Sequence, residues 1–206
     1  SQTYTNHIET FLTQCNVLTI DLPGHGKDHS STDKTWDFAF ITEQMNQVLS
    51  QFEDYEFSLL GYSMGGRVAL YYAIYGQYEI KQLILESTSP GIADETIRKE
   101  RQAVDKARGR VLEIAGIELF VNDWEKLPLF QTQYQLDDNK KQAIRRMRLA
   151  QNPNKLAKAL RDYGTGNMPN LWGDIKRIKS NSLILAGELD EKFVNTAEKM
   201  SQEIKN

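Results

Sequence analysis

A mostly parallel α/β sheet with helices on both faces is the architecture this 206-residue chain predicts. Three observations carry that expectation. Short apolar runs at residues 17–21, 57–60, 80–86 and 182–186 lack the polar alternation of half-solvated strands, and helical stretches separate them. Buried parallel strands wound by right-handed crossovers read this way. The run Phe57-Ser58-Leu59-Leu60 leads into Gly61-Tyr62-Ser63-Met64-Gly65-Gly66-Arg67 and then Val68-Ala69-Leu70-Tyr71-Tyr72-Ala73-Ile74, which is strand, G-x-S-x-G, helix. The segment from Pro90 to about Trp172 is long, helical and charged with no convincing strand, so it reads as an insertion into the sheet domain.

Taken in order, His7, Ile8, Phe11 and Leu12 form an amphipathic stretch, followed by the β-rich run Val17-Leu18-Thr19-Ile20-Asp21. The breakers Leu22-Pro23-Gly24-His25-Gly26 end that run. From Trp36 to Phe52 the apolar residues Phe40, Ile41, Met45, Val48, Leu49 and Phe52 recur at helical spacing. The strand before Ser63 and its helix come next, then the strand Ile80–Glu86, which ends in the polar cluster Ser87-Thr88-Ser89-Pro90-Gly91. A last strand at 182–186 ends in Gly187-Glu188-Leu189-Asp190, and Val194, Ala197, Met200 and Ile204 mark a closing helix. The expected organisation is a sheet domain over 1–89 and 172–206, with a helical lid over 90–171.

Composition bounds the function. A hydrophobic content of 40% suffices for a globular core, and no apolar run approaches the roughly 20 residues that cross a bilayer. The first residues have neither the basic nor the apolar region of a signal peptide. Cys15 is the single cysteine, which fits a reducing cytoplasm, excludes an internal disulfide, and reads as a packing residue. A formal charge of −3 gives no reason to expect nucleic acid as partner. The charge is unevenly spread: residues 98–161 hold fifteen Lys and Arg against eight Asp and Glu. Most of these charges read as solvated helix faces, with Arg101 and Asp105 at ion-pair spacing as an example.

Ser63 is the candidate nucleophile or base. Gly61 and Gly65 lack Cβ atoms and allow the sharp turn, which puts Ser63 at a helix N-terminus with the Met64 N–H turned toward any developing anion. A serine hydroxyl needs a neighbour to take its proton. Asp190 follows a strand in the Ser…Asp…His order and is the candidate acid, with an N-cap or turn acid as the competing reading and Glu188 as a weaker choice. His7, His25 and His29 all precede Ser63. His25 reads as ordering its own turn, and His7 and His29 as surface positions. Arg67, one turn into the helix, implies an anionic substrate or an internal salt bridge, because a buried cation without a partner is costly.

The elbow, the Asp21-Leu22-Pro23-Gly24-His25-Gly26 turn and the mid-chain helical insertion resemble the α/β-hydrolase superfamily. Gly61-Tyr62-Ser63-Met64-Gly65-Gly66-Arg67, Glu86-Ser87-Thr88-Ser89-Pro90-Gly91, Arg98-Lys99-Glu100-Arg101-Gln102, Asn122-Asp123-Trp124 and Gly187-Glu188-Leu189-Asp190 are similar to the bacterial 2-succinyl-6-hydroxy-2,4-cyclohexadiene-1-carboxylate synthases of menaquinone biosynthesis. That resemblance implies a lyase that eliminates pyruvate from 2-succinyl-5-enolpyruvyl-6-hydroxy-3-cyclohexene-1-carboxylate, without metal or organic cofactor. It implies Ser63 and Asp190 as catalytic residues, Arg67, Arg101 and Arg148 as carboxylate ligands, and Tyr62 and Trp124 as aromatic pocket residues. Arg145 and Arg146 compete with Arg148 for the alignment. The alternative is an ester or C–C bond hydrolase acting on a carboxylated substrate. The expected partner is a small tricarboxylate, and the expected assembly a monomer or weak homo-oligomer. The family's early His-Gly oxyanion loop and late catalytic histidine have no counterpart in the sequence, so a shortened form of the enzyme is expected.

Overall fold

A computed structural model describes residues 4–205. The chain divides into two compact units, one made of the residues up to 34 with 106–160, the other of 35–105 with 161–206.

The second unit carries the sheet. Helix α2 (Phe38–Leu49) starts where Asp37 caps it, its Oδ1 accepting the Phe40 N–H at 2.7 Å. Its apolar stripe, Phe38, Ile41, Met45 and Leu49, is buried. Strands β1 (Phe57–Tyr62), β2 (Ile80–Glu86) and β3 (Asn181–Leu185) pair in parallel in the order β1-β2-β3. Helix α3 (Met64–Tyr75) packs on β1 and β2 and is apolar nearly all round, with Val68, Ala69, Leu70 and Tyr72 buried. Helix α7 (Glu191–Glu203) lies against β3. In the central strand, Leu83 and Leu85 are fully buried.

Helix α4 (Glu95–Trp124) runs from this unit into the first, and its helical geometry is interrupted at Gly116, where φ is 79°. The first unit adds α1 (Thr5–Leu12), α5 (Asp138–Leu149) and most of α6 (Pro153–Tyr163). Asp137 caps α5 by accepting the Lys140 N–H at 3.0 Å.

Three expectations need correction. Residues 17–21 form no strand, although their composition favours one. Side-chain preference does not make a strand without a neighbouring ladder, and the sheet among the described residues holds only β1, β2 and β3. Cys15 is exposed in the turn after α1, with its Sγ 3.5 Å from the Phe11 carbonyl, and it packs into no core. Leu183 and Leu185 belong to an edge strand and are 52% and 44% exposed, not buried on both faces as a parallel strand would be.

Candidate active site

The register sets the geometry of the sheet edge that carries Ser63. Tyr62 pairs with Glu86, and Glu86 with Leu185, so the C-terminal ends of all three strands lie level. The Ser63 N–H continues the ladder to the Glu86 carbonyl at 2.8 Å, and the Ser87 N–H reaches the Leu185 carbonyl at 2.9 Å. Ser63 and Ser87 both have positive φ, 50° and 46°. At the end of β1 the chain turns at Ser63, whose ψ is −109°, and enters α3. A non-glycine residue in that region stores roughly 1–3 kcal/mol of strain. Here the surroundings enforce it: the Ser63 carbonyl accepts the Thr88 hydroxyl at 2.9 Å and the Arg67 N–H at 3.1 Å. The Ser63 hydroxyl makes no capping bond to α3. Met64 opens the helix, so its N–H is one of the donors that an α-helix leaves without an internal partner.

Close approach at the elbow falls on Gly61 and Gly66, not on Gly65. A Cβ on Gly61 would lie 2.5 Å from the Gly65 carbonyl oxygen, and one on Gly66 would lie 2.6 Å from the Thr88 Cβ. A Cβ on Gly65 would meet nothing within 4 Å. Gly65 therefore contributes its backbone to the turn, while the space Ser63 requires is made at 61 and 66.

Asp190 caps α7, its Oδ1 accepting the Phe193 N–H at 3.2 Å. It begins that helix five residues beyond the end of β3. With strands about 4.8 Å apart, the ends of β1 and β3 are separated by roughly 10 Å. The cap role and the acid role are compatible, since a carboxylate has two acceptor oxygens and capping uses one. Glu188 is exposed in the turn before it. His7 and His29 are exposed, and the His25 ring nitrogen Nδ1 sits 3.2 Å from the Pro23 carbonyl of its own turn. Burial pushes the His25 imidazole below its ordinary value, against the opposing pull of that carbonyl and of Asp28 and Asp21.

The electrostatic centre of the second unit is Arg67. It is only 8% exposed, and its Nη1 is buried with no hydrogen-bond partner among the described residues. Burial first, and the like charge of Arg101 second, hold its guanidinium down to about 10, while Asp105 and Tyr163 act the other way. Arg101 donates from Nε to Asp105 Oδ1 at 2.8 Å. The i,i+4 spacing is as the sequence suggests, but the pair is no solvated helix face, because Asp105 is 2% exposed. Sequence spacing finds such a pair without saying whether water reaches it, and neither Asp105 nor Thr88 stood out as a site residue. Tyr62 is exposed at the end of β1.

The remaining sequence-predicted residues lie in the first unit. Trp124 ends α4 in a cluster with Phe120 and Phe130 at 5.5 and 5.6 Å, and the Arg108 guanidinium sits 5.0 Å over its ring. Arg148 donates to Glu125 at 3.1 Å and to Gln133 at 3.0 Å, and lies 4.6 Å over the Phe130 ring. Arg145 takes the other Glu125 oxygen and the Asn122 side chain, while Arg146 is exposed. Among the described residues no grouping of His, Cys, Asp and Glu could hold a metal ion, and no helix is long and apolar enough to cross a membrane.

Comparison with known proteins gives a consistent result. Residues 4–206 match the α/β-hydrolase-fold family. A Bacillus subtilis (strain 168) protein, provisionally named a 2-succinyl-6-hydroxy-2,4-cyclohexadiene-1-carboxylate synthase, is 34% identical over 187 residues, covering 90% of this chain and 68% of that protein. The synthase of that name from Yersinia pseudotuberculosis (serotype O:3, strain YPIII) is 30% identical over 183 residues, covering 88% of this chain and 65% of its own length. The chain thus spans about two thirds of these curated relatives. The solved structure of MenH from S. aureus superposes with a TM-score of 0.98 at 61% identity, over all of this chain and 77% of that one. A Pseudomonas aeruginosa hydrolase, at 21% identity and a TM-score of 0.78, shares the fold.

Proposed function

The chain belongs to the α/β-hydrolase-fold family and, within it, to the 2-succinyl-6-hydroxy-2,4-cyclohexadiene-1-carboxylate synthases, and from that premise we propose that its full-length protein is the lyase that releases pyruvate to form that compound. The observation that carries the reading is Arg67, a buried guanidinium whose Nη1 has no partner among the described residues and on which the like charge of Arg101 acts. A desolvated cation is costly unless an anion completes it. An acyl-chain pocket would have no use for one.

The reaction follows from the compounds. The substrate has one ring double bond, at C3, and an enolpyruvyl ether at C5, and the product has double bonds at C2 and C4. A base takes the C2 proton, which the neighbouring succinyl ketone acidifies. The electron pair forms C2=C3, the old double bond moves to C4=C5, and the C5–O bond breaks. The leaving enolpyruvate takes up a proton at carbon and becomes pyruvate, so atoms and charge balance. Ser63 is the base, its own proton passing to the late histidine that the family resemblance implies and that Asp190 would orient, and no acyl-enzyme forms. The Met64 N–H at the start of α3 favours negative charge that develops beside Ser63.

The substrate carries three carboxylates. Arg67 and Arg101 are proposed to bind one of them, and charge neutralisation there eases carbanion character on the ring. Tyr62, Trp124 and Arg148 are proposed as further substrate contacts on family resemblance. In this structure Arg148 is held by Glu125 and Gln133. A cytoplasmic enzyme acting as monomer or weak homo-oligomer completes the proposal, in keeping with a single cysteine. The test is kinetic: Arg67→Ala in the full-length protein is expected to lower kcat/KM for pyruvate release about ten- to a hundredfold, as the loss of one charge-assisted contact does. Unchanged kinetics would remove Arg67 from the site.

A further inference from the structure

Asp105 is the most buried charged group around the two arginines, and it has no place among the residues that would touch substrate. Both its oxygens are committed. Oδ1 accepts the Arg101 Nε–H at 2.8 Å, and Oδ2 accepts the Gly166 N–H at 3.1 Å. It thereby ties α4 to the 3-10 turn at 165–167, which Gln102 also straps, its Nε2 donating to the Gly166 carbonyl at 3.1 Å and to the Asn167 side chain at 3.0 Å.

A guanidinium is a rigid planar fork with donors on more than one edge. When Arg101 commits Nε to Asp105, the orientation of its two Nη groups is fixed as well. Without that anchor Arg101 has somewhere else to go. Its side chain is 31% exposed, and both solvation and repulsion from Arg67 favour a move outward. We propose that Asp105 is a positioning residue: it holds Arg101 beside Arg67 so that the two guanidinium groups receive a ligand carboxylate together. The inference rests on the anion-binding reading of Arg67 above. Two arginines and one aspartate leave one surplus positive charge, which matches a single carboxylate.

Simple electrostatics gives the opposite sign. Deleting a negative charge from an anion site strengthens binding if geometry is unaffected. The two accounts therefore separate cleanly. The full-length protein is prepared as wild type, Asp105→Asn, Arg101→Ala, the double variant, Arg101→Lys and Gln102→Ala. Each is titrated calorimetrically with succinate as a carboxylate probe, and KM and kcat for pyruvate release are measured.

Positioning predicts that Asp105→Asn weakens succinate binding and raises KM about tenfold when Arg101 is present, and changes either by less than about twofold when it is absent. KM is expected to move more than kcat. Gln102→Ala, which loosens the same turn without touching Arg101, is expected to bind succinate as wild type does. Arg101→Lys leaves Asp105 in place, so it reports even if Asp105→Asn fails to fold. An ammonium lacks the fork that serves both partners, and a loss close to that of Arg101→Ala is expected.

Equal losses for Asp105→Asn in both backgrounds, or wild-type binding by Arg101→Lys, would overturn the proposal in favour of a purely structural aspartate. Tighter succinate binding by Asp105→Asn would overturn it in favour of a plain counter-charge. A wild type that binds succinate with the expected coupling but releases no pyruvate sinks the lyase reading and leaves the positioning role standing. A wild type that does neither overturns both.

Discussion

Arg67 holds an unfavourable position among its protein neighbours, and that gives it a measurable signature. Its buried Nη1 lacks a partner among the described residues and the like charge of Arg101 acts on it, so replacing it with an apolar residue of similar length should relieve the fold. Arg67→Met is expected to gain about 1–3 kcal/mol of stability. That corresponds to a rise in Tm of roughly 2–4 °C per kcal/mol for a chain of this size, read by calorimetry. The same variant should lose the upward shift in Tm that succinate gives the wild type. A lower Tm would show that Arg67 has a stabilising partner in the free protein. The pH dependence follows the same cation. Its folded value of about 10 lies below the ordinary arginine value, so between these values the unfolded chain binds more protons than the folded one. Stability from this group therefore increases with pH across that window, while the positive charge that binds carboxylate is lost. KM is expected to climb as pH passes about 10, and a flat KM through pH 11 would contradict the assignment. Ser63 offers a parallel test, because its φ of 50° suits glycine. Ser63→Gly and Ser63→Ala should both be inactive, yet the glycine variant should be more stable by about 1 kcal/mol. Equal stabilities would mean that the turn holds no strain.

At the level of elements, the elbow shows what sequence can and cannot specify. The order strand, G-x-S-x-G, helix located β1, Ser63 and α3, since apolar patterning and glycine spacing are both local. It did not reveal which glycine the turn needs, because that depends on Thr88, which approaches from the end of the neighbouring strand. Gly65→Ala is expected to leave stability unchanged or raise it by up to about 1 kcal/mol through its better helix propensity. Gly66→Ala forces Thr88 away from the Ser63 carbonyl and should cost more than about 2 kcal/mol. Denaturant titration of both variants checks this, and a reversed order would contradict the packing seen here. The arginine pair divides the same way. Arg67 was legible as a candidate because a cation follows the serine by one helical turn. Asp105 was visible only as an i,i+4 partner, since the tertiary approach of the 165–167 turn, not helix periodicity, removes it from water.

For the molecule as a whole, the parallel sheet and the long helical segment were legible because buried strands and amphipathic helices leave periodic marks. The run at 17–21 was misread, because its composition suits a strand while strand formation depends on a pairing partner that composition does not encode. The proposed function was legible mainly through the coincidence of the elbow with Arg67, Arg101 and the resemblance they carry, and the Bacillus subtilis relative bears the synthase's name. This elbow is proposed to serve elimination and not acyl transfer. Its most direct test is pyruvate formation by the full-length protein from 2-succinyl-5-enolpyruvyl-6-hydroxy-3-cyclohexene-1-carboxylate, followed with a pyruvate-specific coupled assay. Pyruvate and the cyclohexadiene are expected in equal amounts, with the rate lost in Ser63→Ala and no acyl group trapped on Ser63. No pyruvate release, together with a burst of product from an activated ester and an acylated Ser63, would contradict it.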